Sequence, residues 1–315
     1  MVDLAVDLAA IREARDRLGT HVRRTPLLRA VGLRDTPPGR LTLKLESLQV
    51  TGSFKARGAT NKVLSLPPGE VRKGLVTASG GNHGLGVAYA GWLTRVPAKI
   101  FLPSNVPPSK VARLESWGAE VVREGAVWDE ADVAAREVAE RESLTYIHAF
   151  ADPAVVAGQG TIGLEILEDA PETDVLLVAI GGGGLISGVA TAVKALAPRA
   201  RVIGVEPVGA PTLYESVRAG AVVELERIAT AANTLAPRRS AGLNLRIIQD
   251  TVEQIVLVTD DEMREAARWL WLEFGLATEL SGAASVAAWL SGKVRVGQGE
   301  SVCGLVCGAG SEGVG

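Results

Sequence analysis

A chain of 315 residues with 33 Lys and Arg against 36 Asp and Glu carries a formal charge of -3, so it lacks the basic excess of a dedicated nucleic-acid binder and is too long for a disulfide-stapled miniprotein. Three histidines (His21, His83, His148) and two cysteines (Cys303, Cys307) are too scattered for a zinc or iron–sulfur centre, and no apolar run reaches the ~18 residues of a membrane span. Glycine is the excess, at 36 residues, about 11 % of the chain against about 7 % ordinarily.

Residues 1–19 mix acids and bases amphipathically with no uninterrupted apolar stretch, which predicts a helix and not a secretory leader; a soluble, cytoplasmic protein is expected. Residues 41–46 alternate apolar and polar side chains as a strand does. Beyond them, Gly52-Ser53-Phe54-Lys55-Ala56-Arg57-Gly58 offers Ser53 as a helix N-cap. That would put Lys55 in a first turn, where the positive dipole end disfavours an ammonium and favours a nucleophilic amine. The plainer reading is a solvated lysine.

Residues 75–78 read as a strand leading into the glycine turn Ser79-Gly80-Gly81-Asn82-His83-Gly84 and a further helix. Ser79 and the turn's amides can hold a carboxylate, with Asn82 able to bond a ring oxygen; alternatively the segment is a plain turn with Asn82 as a cap. Residues 99–102 and 120–122 are predicted strands, and 109–117 and 129–142 predicted helices. The second half repeats the alternation, with strands at 174–180, 201–206, 255–258 and 301–307 and helices at 185–196 and 261–274. Continuous apolar runs at 175–180 and 202–205 predict strands buried on both faces, hence an α/β fold of open parallel sheets covered by helices. Acids at 260–262 suit a helix start, and Trp269 and Trp271 read as packing residues.

Gly181, Gly182, Gly183 and Gly184 lie between one of these buried strands and a helix. Backbone N–H groups converge there with no side chain in the way, which suits a phosphate; a flexible linker, the alternative, ordinarily carries serine and polar neighbours. Ser187 breaks the dinucleotide-binding spacing, and no Gly-Lys-Ser/Thr string supplies a P-loop. Cys303 and Cys307 stand too far apart along a strand to bridge. No linker or repeat marks a domain boundary.

The strings Ser53-Phe54-Lys55-Ala56-Arg57-Gly58-Ala59, Ser79-Gly80-Gly81-Asn82-His83-Gly84 and Gly181-Gly182-Gly183-Gly184-Leu185-Ile186-Ser187-Gly188, in that order, resemble the fold-type II pyridoxal phosphate enzymes. The threonine/serine dehydratase (ammonia-lyase) group is the most similar, and the likeness covers nearly the whole chain. It implies a two-domain fold like that of the tryptophan synthase β chain. The larger domain would comprise residues 1–40 and 146–315 and the smaller one 41–145, with no regulatory domain after Cys307.

By the same resemblance, Lys55 would be the Schiff-base lysine and the base that takes the α-proton, with Phe54 packed near the cofactor. Asn82 would bind the ring's phenolic oxygen. Gly181, Gly182, Gly183, Gly184 and Leu185 would hold the phosphate, and Cys307 would stand beside the pyridine nitrogen as a weakly polar partner. Ser79, Gly80, Gly81, Asn82 and His83 would bind the substrate, and Glu279 would lie near the cofactor or cap a helix. The implied reaction is β-elimination from L-threonine or L-serine to a 2-oxo acid and ammonia, in a homodimer or homotetramer without nucleic-acid or membrane partners.

Three departures narrow this. Gly80 stands where related racemases carry a second serine. Ala241, in Arg239-Ser240-Ala241-Gly242-Leu243, stands where cation-activated dehydratases carry an aspartate, leaving Glu206 an isolated carboxylate and arguing against a divalent metal. Leu280 replaces the proline of the family's Glu-Pro-Ser-Gly. Other readings are a β- or γ-replacement enzyme of the threonine synthase or cysteine synthase kind, a dehydratase for another β-hydroxy amino acid, and a non-enzymatic sensor of a phosphorylated ligand.

Overall fold

In the computed structural model, which describes residues 6–33, 36–71 and 73–314, the strands are β1 (Leu27–Arg29), β2 (Arg40–Leu45), β3 (Leu75–Ala78), β4 (Ala98–Leu102), β5 (Glu120–Arg123), β6 (Thr145–Tyr146), β7 (Val175–Ala179), β8 (Arg201–Pro207), β9 (Gln254–Val258) and β10 (Ser301–Val306). They make a six-stranded sheet, β1-β2-β10-β7-β8-β9, and a four-stranded sheet, β5-β4-β3-β6. Every neighbouring pair is parallel except β1 with β2 at the edge of the larger sheet. Parallel neighbours need long crossovers, and helices such as Asn82–Thr94, Trp128–Glu142, Gly184–Leu196 and Asp260–Phe274 supply them.

β7 and β10 are buried at every residue, as strands covered on both faces must be. Their aliphatic side chains and those of helix Leu280–Leu290 form the main core, which explains the scarcity of aromatics. Helix Leu8–Leu18 packs Ile11 and Ala14 against helix Pro153–Asp169; the first five residues of the predicted N-terminal helix lie outside the described ones. Helix Asp260–Phe274 begins with a capping box between Thr259 and Glu262. Trp269 packs as expected, against Phe274 and Trp289, whereas Trp271 is exposed. Both cysteines are buried and unbridged.

Two features of β2 bear on the sequence reading. β2 pairs with β10 from Arg40↔Ser301 to Leu45↔Val306, so a division at residue 41 would cut it from the larger sheet to which it belongs. At the other end, Tyr146 still pairs with β3 in the smaller sheet. Past the exposed Arg40, the polar side of β2 meets no solvent: Lys44, and Glu46 directly after the strand, are as buried as Leu43.

These charges are matched by partners from two helices. Arg57 Nε and Nη2 donate to Glu46 at 2.9 and 2.8 Å, and Nη1 and Nη2 donate to Glu165 at 2.7 and 2.9 Å. Lys44 Nζ donates to Glu165 at 2.6 Å and to the Thr25 carbonyl at 2.7 Å. Two cations and two carboxylates thus cancel inside the protein, which is the condition under which charges can be buried at all. Burial opposes the charge on Arg57, but Glu46 and Glu165 outweigh it and hold the guanidinium above its ordinary range.

Candidate active site

In each sheet the direction of winding reverses once. β3, β4 and β5 proceed one way while β6 returns on the other side of β3; β7, β8 and β9 proceed one way while β10 returns on the other side of β7. Such reversals leave a crevice at the carboxyl ends of the strands, because the flanking connections diverge to opposite faces. Ser79 follows β3, Gly181 follows shortly after β7, and Cys307 follows β10 directly. All the residues proposed from sequence for the site (Phe54, Lys55, Ser79, Gly80, Gly81, Asn82, His83, Gly181, Gly182, Gly183, Gly184, Leu185, Glu279 and Cys307) line one cavity of about 670 Å³, a volume suited to a cofactor with a small substrate.

Lys55 opens helix Lys55–Ser65, but Ser53 does not cap it. Phe54 is the N-cap, with no side-chain cap bond, and Ser53 is bridged to Gly308 in extended conformation. The Phe54 N–H donates to the Cys307 carbonyl at 3.3 Å, so the lysine's turn is tied to the end of β10. The Lys55 amine is not solvated surface: Nζ donates to the Ala149 carbonyl at 2.8 Å and lies 5.2 Å from the centre of the Phe54 ring. Burial lowers its pKa to about 8, against the opposing pull of the Glu279 carboxylate. At pH 7 about a tenth of the amine is then neutral, against about one part in three thousand at its ordinary value of 10.5.

In the Ser79 turn, the Gly81 N–H donates to Ser79 Oγ at 3.3 Å, and Gly81, not Asn82, is the N-cap of helix Asn82–Thr94. The Asn82 side chain is free to reach across the cleft, where Nδ2 donates to Glu279 Oε1 at 2.8 Å. Thr234 donates to the same oxygen at 3.3 Å and shares a short hydrogen bond with Ser281. Glu279 is the N-cap residue of helix Leu280–Leu290, but its side chain makes no cap hydrogen bond and is turned to Asn82 and Thr234 instead. Burial raises its carboxyl to about pKa 7, although the Asn82 and Thr234 bonds pull the other way. His83 is turned inward, its Nε2 at 3.0 Å from both the Thr77 hydroxyl and the Ile147 carbonyl. Burial, with Lys55 nearby, lowers its pKa to about 3. A substrate could meet the N–H of this residue and not its ring.

The glycine run ends at the start of helix Gly184–Leu196, whose first-turn N–H groups have no intrahelical acceptor. Glycine is required here for a further reason. A Cβ on Gly182 would lie 2.2 Å from the Phe150 ring, and one on Gly184 would lie 2.9 Å from the Phe150 backbone. Gly184→Ala should therefore overpack the loop by about 1–3 kcal/mol and weaken binding of a phosphate-bearing cofactor by about five- to 150-fold, measured by titration. Ser240 donates to the Gly182 carbonyl at 2.9 Å, and Asn244 Nδ2 donates to the Phe150 carbonyl at 3.1 Å and to Ser187 Oγ at 3.2 Å. No local pattern marks these supports of the loop.

Cys307 keeps its proton. Sγ donates to the Ser281 carbonyl at 3.3 Å, and burial, with Glu279 nearby, raises the thiol above its ordinary range. A ring nitrogen beside it would face a neutral, weakly polar group. Glu206 is spent elsewhere: its two oxygens accept the N–H groups of Leu213 and Tyr214 at 2.8 and 2.7 Å. Among the described residues no cluster of three or more His, Cys, Asp or Glu side chains could hold a metal ion.

An aldehyde cofactor with an anionic tail needs an uncharged amine to condense with and main-chain N–H groups to hold the tail. This cleft between paired parallel sheets offers both, the arrangement of pyridoxal phosphate enzymes of the two-sheet α/β type. Residues 18–308 match the family described as pyridoxal-phosphate dependent enzymes, and the chain belongs to that family. It is 40 % identical over 286 residues to the L-threonine ammonia-lyase of Thermotoga maritima, covering 91 % of this chain and 71 % of that protein. The catabolic L-threonine dehydratase of Escherichia coli K12 is 39 % identical over 292 residues, or 93 % of this chain and 89 % of that one. Among solved structures, maize serine racemase is similar with a TM-score of 0.93 and 34 % identity, covering 97 % of this chain and 94 % of that chain.

Proposed function

We propose that this chain is a pyridoxal phosphate-dependent ammonia-lyase that converts L-threonine, L-serine or both to the 2-oxo acid and ammonia. The observation that carries the reading is the Lys55 amine, drawn down to about pKa 8 by burial in a cavity that also holds the glycine N–H cup. In this reading Gly181, Gly182, Gly183, Gly184 and Leu185 hold the cofactor's phosphate, and Asn82, Glu279, Phe54 and Cys307 surround its ring. Bound there, the cofactor supplies the electron sink for charge developing at the substrate's α-carbon. Ser79 and the N–H groups after it orient the substrate carboxylate. Lys55, whose lowered pKa leaves about a tenth of the amine neutral at pH 7, takes the α-proton. The four-stranded sheet and its helices, beginning beyond β2, are the unit we expect to close over the cavity and exclude water.

Release of 2-oxo acid from L-threonine or L-serine with no second nucleophile present tests the proposal; a protein that turns over only when a thiol or phosphate-ester co-substrate is added is a replacement enzyme instead. The similarity to a serine racemase favours one further comparison. Gly80 offers no side-chain acid beside Ser79, so D-serine should form at least about tenfold more slowly than 2-oxo acid, about 1.4 kcal/mol in barrier. Since Glu206 is turned to the N–H groups of Leu213 and Tyr214 and Ala241 supplies no second carboxylate, neither Mg²⁺ nor a chelator should change the rate. Activation by Mg²⁺ that a chelator reverses would contradict that.

A further inference from the structure

The only hydrogen-bond acceptor that Lys55 Nζ has among the described residues is the main-chain carbonyl of Ala149, in the segment that joins β6 to helix Pro153–Asp169. The 149–150 peptide is trans, so its C=O and N–H leave in opposite directions. Whatever captures the Phe150 N–H therefore decides where the Ala149 carbonyl points. That group is His148: its Nδ1 accepts the Phe150 N–H at 3.1 Å and the Ala151 N–H at 2.9 Å. A ring nitrogen that accepts two N–H bonds carries no proton, which places the imidazole proton on Nε2. The ring itself is held between Tyr146 and Phe150, with centroids 6.3 and 4.6 Å away, and Phe150 lies against the glycine run.

We propose that His148 is a positioning residue for Lys55, acting through the 149–150 peptide: by fixing that peptide plane it aims the carbonyl that orients the lysine amine. With one N–H on the Ala149 oxygen, the neutral amine keeps its lone pair for the cavity. The imidazole stays an acceptor across the working range, because burial, with Arg136 and Lys55 nearby, lowers its pKa to about 4 against the pull of Asp132 and Asp152. The same segment joins the lysine's acceptor to the phosphate loop's packing partner, so one histidine sets both. The inference deepens the function proposed above and rests on Lys55 as the reacting amine.

Two variants of the full chain test it. His148→Phe keeps an aromatic ring but has no acceptor, whereas His148→Asn retains an oxygen able to accept N–H groups two and three residues ahead. The first readout is the pH dependence of Lys55 acetylation in the cofactor-free protein, followed by peptide mass spectrometry. The second is kcat and KM for L-threonine in the loaded enzyme, with the urea midpoint as a check on folding.

In His148→Phe the labelling midpoint should fall by about half a pH unit or more, since the ammonium loses its carbonyl. Its kcat should drop about tenfold or more with KM within about threefold, as expected for a misaimed group. His148→Asn should stay within about threefold of the parent in kcat and keep its labelling midpoint. Unchanged labelling in His148→Phe, or a His148→Asn variant as impaired as His148→Phe, overturns the proposal. If the parent chain released no 2-oxo acid, the reaction assignment would fail, and the labelling result would still judge His148.

Discussion

Lys55→Ala is expected to abolish release of 2-oxo acid from L-threonine and to leave a colourless protein after incubation with pyridoxal phosphate. Loss of a positioned general base alone costs about 10² to 10⁴ in rate, and this lysine is also the amine with which an aldehyde cofactor would condense. A variant that kept more than about one per cent of the parent kcat and its visible band would remove Lys55 from the chemistry. Adding a small primary amine should restore part of the rate if the missing function is the amine itself.

The lysine's environment makes a second, opposite statement about stability. Its folded pKa, about 8, lies below its ordinary 10.5, so below about pH 8 the folded state carries the full cost of a desolvated ammonium, and that cost vanishes as pH rises toward 10.5. Lys55→Met should therefore stabilise the fold at pH 7, on the order of 1 kcal/mol after screening by water in the open cavity. The gain should fade as the pH rises from about 8 and be gone by about 10.5. Activity and stability are then opposed at one side chain.

Breaking the buried ion cluster should have the largest effect on folding. Glu165 accepts from both Arg57 and Lys44, and Glu165→Met would leave two cations sharing the single carboxylate of Glu46 in a place without water. Removing one partner of such a cluster costs about 3–5 kcal/mol, whereas removing a matched pair costs far less. Lys44→Met/Glu165→Met should therefore lie well above the sum of its single variants in a urea-denaturation cycle; strict additivity would mean that the charges do not interact. Burial works against the Glu165 carboxylate, but Arg57 and Lys44 lower its pKa below 4.5. Its contribution is thus fully present above that pH and lost as the pH falls through the lowered value. Arg57 stands in the same helix turn as Lys55, so the single variants should also lose activity before they unfold.

Elements bounded by glycine or carrying continuous apolar runs were legible from the chain alone. β3 has the bounds expected, and β7 and β10 differ from theirs only at the ends. The three glycine-containing strings also converge on one cavity, as their resemblance to the family implies. Alternation in β2 was legible too, but alternation says only that two faces differ. It does not say that the polar face will meet Arg57 and Glu165 in place of water. Ser53 looked like a cap because caps are local, yet its backbone is claimed by Gly308.

Sequence by itself determined the chemistry that the backbone and single residues can offer: an amine at the start of a helix, two glycine turns after buried strands, and a thiol after the last strand. Tertiary structure alone decided what each group faces. Asn82 meets Glu279 across 197 residues, Lys55 meets the Ala149 carbonyl across 94, and Glu206 turns from the cavity to a helix start. Orientation of this kind depends on which strand ends the sheet order brings together, and no short-range pattern in a chain encodes that order.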